Sequence, residues 1–131
     1  MSLIRNSNKV KQVIDFTGVQ NGNIHPSDID AVFEFDNELL ILIEVKYINT
    51  DIPIGQRLML ERICKSWHTD KGVVIKVEHN FDGDENIPLD SCKVTSCFLN
   101  KTNIWYKVDN VPFISFINKL GKRFNVEKCK F

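Results

Sequence analysis

The chain has 131 residues, a length that fits one domain able to bury roughly two-thirds of its unfolded surface. Its composition is ordinary for a globular protein, and its formal net charge of zero is weak evidence against a protein that coats nucleic acid. The longest apolar run, residues 39–43, is far shorter than the roughly 18 residues of a membrane span, so we expect no membrane partner.

The first residues, "MSLIRNSNKVK", lack the apolar segment of a signal peptide, which predicts a cytoplasmic protein. The 4 cysteines form no C-x-x-C pair and match no histidine pair, which predicts reduced thiols and argues against a structural zinc site.

In chain order, a weak apolar stripe predicts a short helix over residues 1–14, and turn-forming residues predict a loop over 17–28. Hydrophobic periodicity then predicts strands at 29–35 and 39–47, a helix at 54–67, strands at 72–78, 93–99 and 104–108, and a helix at about 112–123. We expect Asn110 to cap the last helix and Pro112 to lie in its first turn. The sequence therefore predicts a mixed α/β domain.

The strand "LLILIEVKY" is almost continuously apolar, which predicts a central strand covered on both faces. It ends with Glu44 and Lys46, which alternation places on one face. The short turn "DNE" at 36–38 predicts an antiparallel hairpin with the preceding strand.

Pairing across that turn keeps the two residue numbers summing to about 74, which places Asp30 opposite Glu44 and Asp28 opposite Lys46. Two carboxylates that converge suit a divalent cation with hard oxygen ligands, and the lysine can orient a water or neutralise an anion. The simpler alternative is a cross-strand salt bridge between Asp28 and Lys46 beside solvated acids.

The segments "PSDIDAVFEF", "ILIEVKY" and "IPIGQRLMLER" resemble the PD-(D/E)xK nuclease superfamily, and in detail a small phage or prophage group within it. The resemblance is specific over residues 26–62. It implies one restriction-endonuclease-like domain over residues 1–131, a mixed β-sheet flanked by helices.

The resemblance also implies a hydrolase, an endonuclease or exonuclease that cuts DNA or RNA with a water activated by Mg²⁺ or Mn²⁺. Asp30 and Glu44 would bind the metal, joined by the carbonyl of Val45, and Lys46 would serve the attacking water. The implied partners are nucleic acid and a second copy of the chain in a homodimer, in the host cytoplasm for a phage protein.

Some assignments stay open at this point. Spacing favours Asp30 as the motif acid, whereas the preceding proline favours Asp28. Many superfamily members carry a further glutamate on the first helix, but residues 1–14 contain no acid, so the site would bind one metal or recruit Glu34 or Asp15.

The helix after the motif strand carries three more candidates. Gln56 is expected near the metal or the substrate, or it satisfies a backbone group at the helix start. Arg57 and Arg62 would bind phosphate, or they are simply exposed arginines. The alternative function is a nuclease-fold module that binds nucleic acid or a protein without cutting. A weaker alternative is a structural phage protein without any site.

Overall fold

The computed structural model describes residues 13–131 of the chain. The helix predicted over residues 1–14 lies outside the described residues except for Val13 and Ile14, which belong to no helix or strand. The following segment is irregular, as the sequence predicts, and contains one isolated bridge between Asn21 and Ile24.

From residue 29 onward, every predicted strand and helix is confirmed in type. In chain order the structure has β1 (Ala31–Phe35), β2 (Leu39–Tyr47), α1 (Ile54–Lys65), β3 (Gly72–His79), a 3₁₀ turn (Leu89–Ser91), β4 (Lys93–Leu99), β5 (Ile104–Pro112) and α2 (Phe113–Arg123). The bounds of β2 and β4 agree with the prediction at both ends.

The strands form one five-stranded mixed sheet in the order β1-β2-β3-β4-β5. Only β2 and β3 are parallel, and α1 connects them, because parallel neighbours need a long crossover. The other three pairings are antiparallel. Residues 13–131 therefore form an α/β fold with a mixed sheet and two helices.

The β1–β2 hairpin has the predicted register, with Ala31 opposite Ile43 and Phe35 opposite Leu39. Its two central turn residues, Asp36 and Asn37, have φ values of 49° and 63°. Positive φ at both positions is typical of the two-residue turns that fit the twist of a hairpin. This local turn fixes which residue of β1 faces which residue of β2.

Alternate residues of β2 enter two separate cores. Leu39, Ile41 and Ile43 pack on the side of α2, with Phe113 and Ile117 of that helix among their neighbours. The other side of the strand packs under α1, in a smaller cluster made by Leu40, Leu42, Leu60, Cys64, Val74 and Phe98. β2 is therefore covered on both faces, as its apolar run predicts. All four cysteines are buried free thiols.

The predicted cap of the last helix is wrong. Asn110 lies within β5 with φ of 50°, and Pro112 is the residue that precedes α2. The pairing of β4 with β5 shifts register between Val94 and Ser96 of β4. β5 therefore bulges opposite these residues, and it then pairs again up to Pro112. The bulge lengthens β5 beyond its predicted end at residue 108. No helix in the described part of the chain combines the length and the apolar character that a membrane span requires.

Asn100 ties the end of α1 to the start of β3. Its Oδ1 accepts a hydrogen bond from the Gly72 N–H (3.0 Å), and its Nδ2 donates to the carbonyls of Thr69 (2.8 Å) and Cys64 (3.3 Å). We expect Asn100→Ala to lower the free energy of unfolding by about 1–3 kcal/mol, because it leaves partly buried backbone groups without partners. Urea unfolding followed by circular dichroism measures the loss. Asn80→Ala, at an exposed position, is the control, and equal urea midpoints for the two variants would contradict the prediction.

Candidate functional site

The site is built around a carboxylate at the end of a buried strand. Glu44 is only 2% exposed, and its Oε2 has no hydrogen-bond partner in the described part of the chain. Strand alternation places it on the α1 face, in line with Leu40 and Leu42. Burying a charged carboxylate without a partner is costly, so this group needs a proton, a cation or a nearby positive charge.

Asp30 meets Glu44 across the hairpin. It lies one residue before β1, and its Oδ2 accepts a hydrogen bond of 2.8 Å from the main-chain N–H of Val45. That bond holds the Asp30 carboxylate against the backbone of β2, beside the Glu44 side chain. Val45 thus enters the site through its N–H, and a role for its carbonyl stays a prediction.

Burial raises the pKa of Glu44 from its ordinary value of 4.5 to about 8. A hydrogen bond with Asp30 and the negative charge of Asp30 add to the rise in pKa, and Asp28 contributes a smaller rise. The ammonium of Lys46 acts in the opposite direction. Near neutral pH, Glu44 therefore holds a proton when no cation is bound.

The structure brings Lys46 to the acid pair but leaves Asp28 at its edge. Lys46 is half-buried, and among residues 13–131 no carboxylate lies within 4.0 Å of its ammonium. The alternative salt bridge between Asp28 and Lys46 is therefore not formed. Asp28 is exposed and lines a neighbouring cleft.

Strand β3 adds a second pair of charges that the sequence analysis missed. Glu44 is the register partner of Lys76, and Lys46 is the register partner of Glu78. The Lys76 ammonium lies 2.9 Å from Oε2 of Glu78. The signal was present in "GVVIKVE", where an apolar strand also ends in two charges on one face. Its relation to Glu44 depended on a parallel pairing that no local pattern specifies.

Glu78 is saturated with partners, unlike Glu44. It accepts hydrogen bonds from the main-chain N–H of Asn49 (3.0 Å) and from the Thr95 hydroxyl (3.0 Å), in addition to its ion pair with Lys76. Burial by itself would raise the pKa of Glu78, but these hydrogen bonds and the Lys76 charge hold it below its ordinary value. Glu78 therefore stays charged where Glu44 is protonated.

Two clefts flank the first turn of α1. The loop-side cleft, of about 580 Å³, lies between that turn and the segment before β1, and it is lined by Asp28 and Gln56 among others. Gln56 is half-buried there. The structure thus groups two of the candidate residues, Asp28 and Gln56, in one cleft, and of these two Asp28 is close enough to Glu44 to influence its pKa.

The sheet-side cleft, of about 550 Å³, lies between the start of α1 and strands β3 to β5. Arg57, another candidate on this helix, lines it together with Lys76 and Lys107. The Nε of Arg57 lies 3.4 Å from Oε2 of Glu61, which also accepts a 2.7 Å hydrogen bond from the indole of Trp105. Lys107 and Trp105 were not among the candidates, because nothing local to the sequence indicates that β5 lies near α1.

Glu34 and Arg62 are not brought to the acid pair. Glu34 lies four residues along β1 from Asp30, about 13 Å in an extended strand, and accepts a hydrogen bond from the Asn37 N–H in the hairpin turn. Arg62 is exposed in the last turn of α1, at the opposite end from the two clefts.

The carboxylates of Asp30 and Glu44 are the donors available to the expected divalent cation. Within residues 13–131 no group of three or more His, Cys, Asp and Glu side chains is arranged to hold a metal. Asp30 and Glu44 do form a two-carboxylate set, with one buried oxygen that lacks a partner. Mg²⁺ is commonly held by one or two carboxylates together with water and substrate phosphate, so this set fits it.

No family model, curated protein or solved structure matches this chain. The site is therefore interpreted from its own geometry.

We expect the stability of the metal-free protein to fall as the pH rises from about 5 to about 9. Over this interval folded Glu44, with a pKa of about 8, keeps a proton that the unfolded chain has already released near its ordinary value of 4.5. The loss is on the order of a few kcal/mol, and Glu44→Gln removes it because the amide does not titrate.

Urea unfolding in EDTA at several pH values measures this difference. Glu44→Gln should be more stable than the wild type at about pH 9 and closest to it at about pH 5. Glu127→Gln, at an exposed position, should keep the wild-type slope. A wild-type slope in the Glu44→Gln variant would mean that Glu44 is not the group that titrates.

Proposed function

We propose that the protein is a metal-dependent nuclease of the PD-(D/E)xK type, with a restriction-endonuclease-like fold, which hydrolyses phosphodiester bonds of DNA or RNA. Asp30 and Glu44 would hold Mg²⁺ or Mn²⁺, and Lys46 would lie beside the phosphate that is attacked. The observation that carries the proposal is the buried Glu44 carboxylate, which contacts Asp30 and leaves one oxygen without a partner.

The supporting chemistry follows from the charge of each group. Asp30 and Glu44 together carry up to two negative charges, which hold either a proton or a cation. A divalent metal bound there would supply an acidified water and offset the charge that builds on a phosphate. Within the chain, the Lys46 ammonium is the cation two residues from Glu44 on the same face, where it can stabilise an anionic transition state or orient a water.

The local packing supports a fixed geometry for these groups. β2 is buried along most of its length, and the Val45 N–H holds the Asp30 carboxylate in place. Preorganised charges stabilise a transition state without reorganisation at the moment of reaction. A site at the end of such a strand has less freedom than one built on a loop.

A second candidate function is a nuclease-fold module that binds nucleic acid or a protein partner without cutting. The observation that favours it is the donor set of two acidic side chains, with no third such group arranged beside them in residues 13–131. Measurements of Mg²⁺ or Mn²⁺ binding and of cleavage distinguish the nuclease from the non-cutting module.

We expect Lys46→Ala to lower cleavage of nucleic acid in Mg²⁺ or Mn²⁺ by roughly 100-fold or more, since it removes a preorganised charge beside the reacting phosphate. A panel of single-stranded, duplex, branched and nicked DNA and of RNA, incubated with Mn²⁺, measures the activity. Lys101→Ala, in the exposed β4–β5 turn, is the control. Circular dichroism checks that each variant is folded. Cleavage by Lys46→Ala at the wild-type rate would remove the proposed role of Lys46.

We expect Mn²⁺ to bind the wild type and to lose that binding in Asp30→Asn and in Glu44→Gln, because each variant removes one carboxylate from the pair. Isothermal titration calorimetry measures the binding without any need for activity. Asp28→Asn should bind the metal nearly as well as the wild type, and loss of binding in that variant but not in Asp30→Asn would identify Asp28 as the motif acid. Binding that is unchanged in all three variants would favour the non-cutting module.

A further inference from the structure

The sheet-side cleft presents more positive than negative charge. Arg57, Lys76 and Lys107 line it, and Asp51 is the only acid among its lining residues. Ser96 and the half-buried Trp105 also line the cleft. Nothing in the proposed chemistry of the acid pair uses Lys107, Ser96 or Trp105.

The register of the sheet relates the cleft to Glu44, which does not itself line it. Glu44 pairs with Lys76, Lys76 with Ser96, and Ser96 with Lys107, so the four residues form one row across neighbouring strands. Adjacent strands lie about 4.8 Å apart, which puts Lys107 roughly 14 Å from Glu44. An anionic chain that lies across the strands from β5 towards β2 would therefore reach the acids.

Two of the three cations that line the cleft are held in position by ion pairs. Lys76 is paired with Glu78, and Arg57 is paired with Glu61, which also binds the Trp105 indole. Neither acid is among the residues that line the cleft. Lys107 has no carboxylate within 4.0 Å among the described residues.

We propose that the sheet-side cleft binds the sugar–phosphate backbone of a single-stranded nucleic acid beside the bond to be cut. This inference rests on the proposed nuclease function and names the strandedness of its substrate. Arg57, Lys76 and Lys107 contact the phosphates, and a base stacks against Trp105. A positively charged groove with an aromatic wall is the common arrangement of single-strand binding sites.

The size of the cleft favours a single strand over a duplex. Its volume of about 550 Å³ is that of a small-molecule pocket and holds one or two nucleotides. A B-form duplex is wider than its own major groove, which is about 12 Å, so it would lie over the mouth of the cleft and would not enter it. In a duplex the bases are also paired and stacked, and none is free to lie against Trp105.

Binding is tested with a fluorescein-labelled oligothymidylate, followed by fluorescence anisotropy in EDTA so that no cleavage takes place. Lys107→Gln should weaken binding by roughly 3–10-fold and should reduce the slope of log K against log salt by about 0.7, the value for one phosphate contact to a single strand. Lys101→Gln, in the turn at the other end of β5, should bind as the wild type does.

Asp51 supplies a test of opposite sign. Because Asp51 is the acid at the cleft, Asp51→Asn should tighten binding of the same oligonucleotide. Its matched control is Asp70→Asn, which removes an exposed charge beyond the other end of α1. A gain in affinity that is equal in the two variants would reflect net charge alone and would overturn the assignment to the cleft.

The 2 tryptophans provide a second readout. Trp105 lines the cleft, whereas the Trp67 indole donates to the Glu38 carbonyl at the far end of α1. In Trp67→Phe, where Trp105 alone is fluorescent, the oligonucleotide should quench the emission. In Trp105→Phe it should leave the emission of Trp67 unchanged. Quenching of Trp67 instead of Trp105 would place the bound strand elsewhere.

The outcomes separate this inference from the proposed function. Absence of saturable oligonucleotide binding at low salt, equal affinities of Lys107→Gln and Lys101→Gln, or tighter binding of a duplex of the same length would overturn it. Wild-type cleavage in Mn²⁺ is assayed separately. Binding that depends on the cleft, without cleavage, would support the single-strand site and contradict the proposed nuclease function. Cleavage without binding that depends on the cleft would support the nuclease function and contradict the single-strand site.

Discussion

The arrangement of the site depends on one constraint, the burial of the Glu44 carboxylate at the end of β2. A charged acid in that position loses its hydration, and the apolar side chains of the strand provide no hydrogen bond to replace it. Burial and the neighbouring Asp30 raise the pKa of Glu44 to about 8, and the Lys46 ammonium offsets part of that rise. The buried acid thus holds a proton near neutral pH, and the proposed chemistry requires that a cation replace it.

The parallel pairing of β2 with β3 explains why one acid is satisfied and the other is not. The two strands end in opposite charge patterns, Glu44-x-Lys46 and Lys76-x-Glu78, and the register sets each acid beside a lysine. Lys76 nevertheless pairs with Glu78 of its own strand, which Asn49 and Thr95 also bind. Glu78 therefore stabilises the sheet as an ion, and Glu44 keeps an unpartnered oxygen in the described structure.

Local patterns were sufficient for much of the fold. The apolar run of β2, the turn at Asp36 and Asn37 and the alternation of β1 all act over a few residues, and together they fix the hairpin and the meeting of Asp30 with Glu44. The cap of α2 was predicted wrongly because a bulge in β5, at Asn110, depends on pairing with β4. Propensity at a single position does not report such pairing.

Strand alternation by itself does not choose among the acidic candidates in β1 and in the segment before it. Alternation places Asp28, Asp30 and Glu34 on one face, and it does not indicate which of them lies near Glu44. Register separates them, because each step of two residues moves a side chain by nearly 7 Å along the strand. Asp30 meets Glu44, Asp28 lines the loop-side cleft, and Glu34 holds the hairpin turn.

The residues of the sheet-side cleft were beyond prediction for a different reason. Arg57, Lys76 and Lys107 come from a helix and two strands that are distant in the chain, and only the strand order β2-β3-β4-β5 and the crossover of α1 bring them together. The same strand order puts the acid pair and the cations on one face of one sheet. A polyanion that lies along this row would be attracted by the cations of β3 and β5, and repelled by the acid pair to the extent that Glu44 has lost its proton and no metal is bound. In the proposed nuclease, occupancy of the acid pair and attraction of the nucleic acid would thus be coupled through charge alone, without any movement of the fold.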